Sequence, residues 1–138
     1  MANLTKDLTT AGLDTSQGMT APHIAGDILA GAAIDPVSPC YIKAADGKAY
    51  MSNGTAANEA AKFDGFTAKA YKVGQAVTLF GVGARFRYSA GTLTPGTDLF
   101  IGTADGVLAD AATTGGVRAV ARAINSTDIR VTKNTDAA

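Results

Sequence analysis

The residue types that carry most enzyme chemistry are nearly missing from this chain. Its 138 residues include no tryptophan, one cysteine (Cys40), one histidine (His23) and, among 12 acids, a single glutamate (Glu59). A lone cysteine excludes an intrachain disulfide framework and a cysteine-rich metal site, and it suits synthesis in a reducing cytoplasm. A lone histidine cannot make a zinc site without further nitrogen or sulfur ligands. Acid–base and nucleophilic catalysis draw on these scarce residues, so no enzymatic activity, no cofactor and no metal are expected. Asp46, Asp64 and Asp105 each precede a glycine singly, without the repeated acids and closing Glu of a calcium loop, and read as turn chemistry. Gly81-Val82-Gly83 lacks the Lys-Ser/Thr pair of a phosphate loop.

Charge is scarce too. Only 17% of residues are charged, against roughly 25% in ordinary soluble domains. Twelve cations balance twelve anions, which argues against a protein held to nucleic acid by bulk charge. No apolar run approaches the ~18 residues of a membrane span. The first residues, Met1 to Asp7, lack the apolar stretch of a secretion signal. Without such a signal, the Asn-x-Ser/Thr triplets at Asn3, Asn53 and Asn125 read as chance matches. A surface this weakly charged is expected to meet a partner.

What remains is small residues, 16 glycines and eleven aspartates, a composition of strands and turns. Residues 1–30 hold no sustained period. Leu4, Leu8, Leu13, Met19 and Ile24 are spread among polar residues, and Pro22 interrupts, so the segment reads as an extended arm docking on neighbouring subunits. From residue 31 to 133 short apolar runs alternate with turn signals. Residues 40–43 and 48–52 flank Asp46-Gly47 as a hairpin. The alanine-rich stretch 55–62 predicts a two-turn helix with Thr55 as its cap. Strands are expected over 66–70, 75–80, 84–88, 98–101, 117–124 and 129–131. Pro95-Gly96 and Asp105-Gly106 supply turns. Residues 134–138 read as a frayed tail. The sum is an all-β small barrel with one short helix and an N-terminal arm.

All five arginines lie beyond residue 84. Arg85 and Arg87 share a face of one strand by period 2, and Arg118 and Arg122 share a face of another. They form a candidate basic facet that grips carboxylates of a partner. With Leu4, Leu8, Leu13, Met19, Pro22 and His23 of the arm they make up the candidate interface. His23 is expected as a contact residue and Cys40 as a buried small hydrophobe.

Several segments in order resemble one family. They are Ala21-Pro22-His23-Ile24, Cys40-Tyr41-Ile42-Lys43, Asp46-Gly47-Lys48, Ser52-Asn53-Gly54-Thr55-Ala56-Ala57 and Asp64-Gly65-Phe66. Arg85-Phe86-Arg87-Tyr88, Leu93-Thr94-Pro95-Gly96, Ala111 to Gly116 and Val117 to Ala121 complete the set. Together they resemble the capsid decoration (cement) proteins of tailed bacteriophages. The resemblance implies a β-tulip domain and an arm laid over the shell. It also implies a homo-oligomer, a trimer favoured, on the outer surface of the mature virion capsid, with the major capsid protein as partner. It implies no catalytic residue, no direct nucleic-acid contact and no membrane. A receptor- or carbohydrate-binding module of a tail or baseplate is the alternative, with Tyr41, Tyr50, Tyr71 and Tyr88 as stacking residues. A small hydrolase is disfavoured by the shortage of His, Cys and Glu.

Overall fold

The computed structural model describes residues 3–13, 22 and 24–132. In chain order the strands are β1 (Gly12–Leu13), β2 (Ile24–Leu29), β3 (Pro39–Ile42), β4 (Ala49–Met51), β5 (Gly65–Thr67) and β6 (Ala76–Phe80). They continue with β7 (Arg85–Arg87), β8 (Asp98–Ile101), β9 (Leu108–Ala109), β10 (Ala121–Ala123) and β11 (Asp128–Val131). A six-stranded sheet runs β1-β7-β11-β10-β8-β9, and a five-stranded sheet runs β2-β6-β5-β3-β4. All pairings within the two ladders are antiparallel.

The all-β expectation holds, but a closed barrel does not form. Strands of two to six residues are too short to carry a continuous ladder around a ring. Isolated bridges tie the edges instead: Asn3 to Ala109 beside β9, and Ala30 to Ala49 beside β4. Such ties cover edges that would otherwise invite foreign strands.

Alternation places the two cores. In β5 and β6, Phe66 and Phe80 face the six-stranded sheet, while Val77 and Leu79 face the other way. The larger core gathers Phe63, Phe66, Phe86, Tyr88, Leu99, Ile101, Leu108 and Ile129 between the sheets. Phe66 meets Phe63 edge-on at 5.0 Å and Phe86 at 5.4 Å. The smaller core holds Ala30, Ile34, Cys40, Ala49, Tyr71, Val77 and Leu79. Cys40 is buried there as expected, and burial pushes its thiol up to about 12.

The Asp46-Gly47 hairpin is β3–β4, with Gly47 at φ 68°. Three expectations change. The helix over 55–62 is a single 3-10 turn, Glu59–Ala61, capped by Asn58 rather than Thr55. The Thr55 hydroxyl instead donates to Asn53 Oδ1 and Thr103 O. Eight residues cannot offset the cost of helix nucleation when their side chains and caps are used elsewhere. The strand expected over 117–124 shrinks to β10; it is preceded by a tight turn in which Gly116 N donates to the Thr113 hydroxyl oxygen and Gly115 N to Gly54 O.

The boundary at residue 30 also dissolves. Residues 3–13 lie on the chain's own six-stranded sheet, and 24–29 form β2 of the other. Leu4 and Leu13 pack on the larger core. The described residues of this segment are seated on the chain's own sheet and core. Residues 134–138, and the expected fraying, fall outside the described residues.

Candidate interaction face

A strand with one face on a core must turn its intervening residues outward. In β7, β11 and β10 those residues are arginines. Register aligns Arg85 with Arg130, Arg130 with Arg122, and Arg122 with Asp98. Cα partners share a face, so three arginines stand side by side across neighbouring strands, closed by one aspartate. Strand spacing puts about 10 Å between the first and the third. In the next row Arg87 stands opposite Asp128.

The ends of the row are engaged. Arg85 Nε donates to Asp128 Oδ2 at 2.9 Å, and Asp128 is buried. Arg122 reaches Asp98 Oδ1 at 3.0 Å in a pair that is more than half exposed. Arg87 Nε donates to Thr10 Oγ1 at 2.9 Å. The neighbouring Asp7 carboxyl is held below the usual range, first by the Thr10 hydroxyl and in smaller part by the Arg87 charge. Arg130, in the middle of the row, is exposed and has no ion pair among the described residues. Like charges directly opposite each other on neighbouring strands are destabilising, so this row is not placed there for stability.

Of the sequence-predicted residues, the structure brings Arg85, Arg87 and Arg122 onto one face. Arg118 is exposed but precedes β10, so period 2 does not place it with Arg122. Leu4 and Leu13 are half-buried in the chain's own core, while Leu8 and Pro22 are exposed. Met19 and His23 lie outside the described residues. Arg130 was missed as a member. The Asp128–Arg130 alternation of β11 carried the signal, but only the register reveals that it stands between the other two.

A second built feature lies at the other end of residues 3–13. Lys6 Nζ donates to Val37 O at 3.0 Å, Ser38 Oγ at 2.8 Å and Gly106 O at 2.8 Å, and it stands 5.7 Å from the Tyr88 ring centre. Burial lowers its pKa to about 8, with the Asp35 charge acting the other way. The socket is specially made. Val37 follows Pro36 in a turn and has φ 51°, a left-handed conformation that β-branched residues rarely adopt. The strain persists because its side chain is fully buried in the larger core while its carbonyl faces Lys6. The Ser38 and Thr67 hydroxyls both donate to Asp35 O and fix the turn.

Tyr41, Tyr71 and Tyr88 are buried, so the four tyrosines form no common exposed platform. The Tyr88 hydroxyl oxygen is turned inward and accepts from Leu108 N at 2.9 Å. No cluster of three metal-ligating side chains occurs among the described residues, and no described helix is long and apolar enough to cross a membrane. No known protein family, curated protein or solved structure matches this chain.

Proposed function

We propose that this protein is a non-enzymatic docking protein whose outer arginine row engages carboxylates on a protein partner. The carrying observation is Arg130, an exposed guanidinium with no ion pair among the described residues, flanked in register by Arg85 and Arg122. A planar fork between two more cations is suited to bidentate capture of a carboxylate. Such a contact relieves the repulsion within the row when the partner is seated, so the free protein is left slightly frustrated and the bound one is not.

Taken with the ordered motif resemblance, the reading is a capsid decoration protein of a tailed bacteriophage. It would bind the outer surface of the mature shell as a homo-oligomer, with the major capsid protein as partner. Many copies on a lattice need only modest individual contacts, because avidity multiplies them. Co-sedimentation with purified shells tests this. Binding to expanded but not unexpanded shells is expected, weakened at least about tenfold by Arg130→Glu and by salt that screens exposed charges. Equal binding to both shell forms, or an unaffected Arg130→Glu variant, overturns it.

A further inference from the structure

A buried hydroxyl faces an amine at the Lys6 socket. Lys6 Nζ lies 2.8 Å from Ser38 Oγ, the contact distance of a general base and the nucleophile it activates. Ser38 is fully buried, so an outside substrate does not reach its hydroxyl. The chain's own backbone does. The residue before Ser38 is Val37, and a serine hydroxyl reaches the preceding carbonyl carbon through a five-membered ring.

The conditions for attack on that carbonyl meet at this one peptide bond. Val37 is held at φ 51°, a strained conformation for a β-branched residue that a cut beside it would relax. Val37 O accepts from Lys6 Nζ at 3.0 Å, so the oxygen that becomes an oxyanion already faces a cationic donor. Ser38 N donates to Thr67 Oγ1 at 3.1 Å, and Thr67 is itself fully buried, which holds the leaving nitrogen in place. While Lys6 is an ammonium, the Ser38 hydroxyl donates to Asp35 O at 2.8 Å. Once Lys6 is neutral, that proton can turn to Nζ, and Asp35 O keeps the Thr67 hydroxyl at 3.0 Å.

We propose that the chain cuts itself between Val37 and Ser38, with Ser38 Oγ as nucleophile and Lys6 Nζ as base and oxyanion partner. Oγ bonds to the Val37 carbonyl carbon and gives its proton to Nζ. The C–N bond to Ser38 then breaks, the proton passes to the Ser38 nitrogen, and Val37 is left as an ester on the Ser38 oxygen. Water cleaves the ester to a Val37 carboxylate and a free hydroxyl. Lys6 also lines a surface cleft with Thr5, Asp7, Leu8, Ser89 and Thr92, which gives water an approach. The event occurs once per molecule, so it accords with a docking protein that turns nothing over. The two pieces stay together, because β1 pairs with β7, β2 pairs with β6 and Ile34 bridges Tyr71.

Intact-mass spectrometry of the folded full chain tests this. Held for days at pH 8, it should yield fragments 1–37 and 38–138, together one water heavier than the whole. With hydroxylamine present, the first fragment should end in a hydroxamate, the signature of the ester. From pH 7 to pH 9 the rate should rise about tenfold, following the neutral fraction of an amine that titrates at about 8. Asp35 and Cys40 act on Lys6 by charge and Tyr88 faces it with its ring. Cys40 and Tyr88, both raised to about 12, keep their protons over that range. Ser38→Ala should stop the cut and Ser38→Cys should keep it through a thioester, which separates loss of the nucleophile from loss of the fold. Lys6→Arg keeps its donors but gives up no proton, and should slow the cut about a hundredfold. A wild-type chain that stays whole at this bond, an equal cut in the urea-unfolded chain, or a Lys6→Arg chain that cuts as fast overturns the proposal. No partner protein is present, so the arginine-row reading stands or falls separately.

Discussion

The two sheets solve the same problem differently. The six-stranded sheet buries one face and leaves the other to water, so its strands alternate core residues with arginines, as in Arg85-Phe86-Arg87 with its half-buried, buried, half-buried pattern. The five-stranded sheet is buried on both sides at β5 and β6, where Phe66 serves one core and Leu79 the other. Its strands carry no arginine. A sheet used on both faces has no outer face left on which to hold a basic row. The lesson is that placement of charge followed from layering: the arginines collect on the sheet that keeps one face free of packing.

The contrast predicts a graded set of effects. The largest should come from Phe66→Ala, which removes a ring shared with Phe63 and Phe86 between the sheets. We expect a loss of about 3–5 kcal/mol in denaturant unfolding. Leu79→Ala, in the smaller core, should cost about 2–3 kcal/mol, because fewer buried side chains surround it. If the two losses were reversed, the smaller core would be the one that holds the layers together.

Lys6→Met comes next. It leaves the Val37 and Gly106 carbonyls without their donor, at a cost of about 1–3 kcal/mol at pH 7. The effect has a pH signature. Folded Lys6 loses its proton at about 8 and the unfolded residue at the ordinary lysine value of 10.5. Between those values the unfolded chain binds more protons, so wild-type stability rises with pH relative to Lys6→Met. Cys40 and Tyr88, each raised to about 12 by burial, act in the opposite sense above pH 9 and 10. Tyr88 does so in both proteins, whereas Cys40 also feels the Lys6 charge, so the comparison is read between pH 8 and 9. A gap that narrows over that range would show that burial does not lower the Lys6 pKa.

The smallest effect is opposite in sign. Arg130→Glu should stabilise the free protein by about 0.5 kcal/mol, because it places an acid between Arg85 and Arg122. A thermal melt measures this directly. Greater stability together with weaker partner binding separates a recognition residue from a structural one. A destabilised variant would mean that the row supports the fold.

Much of the local structure was legible in the chain. Asp46-Gly47, Pro95-Gly96 and Asp105-Gly106 each need a glycine at positive φ, and each has it; the strands between them follow. The short helix was misread because alanine content speaks of propensity, while Asn58 and Thr55 decide where the backbone is capped. The seat of residues 3–13 on the chain's own sheet was not legible for a different reason. Residues 3–13 have no period of their own, since their partners are edges and a socket built by residues far along the chain.

Composition and turn chemistry were enough to specify an all-β chain poor in catalytic groups, because turn dihedrals and period-2 burial are local properties. Register is not local. Only the folded sheets decided that Arg85, Arg130 and Arg122 stand in one row, that β5 and β6 serve two cores, and that Lys6 finds three oxygens from two separate turns. These arrangements depend on which strands lie side by side, and strand neighbours are chosen by the packing of the whole layer.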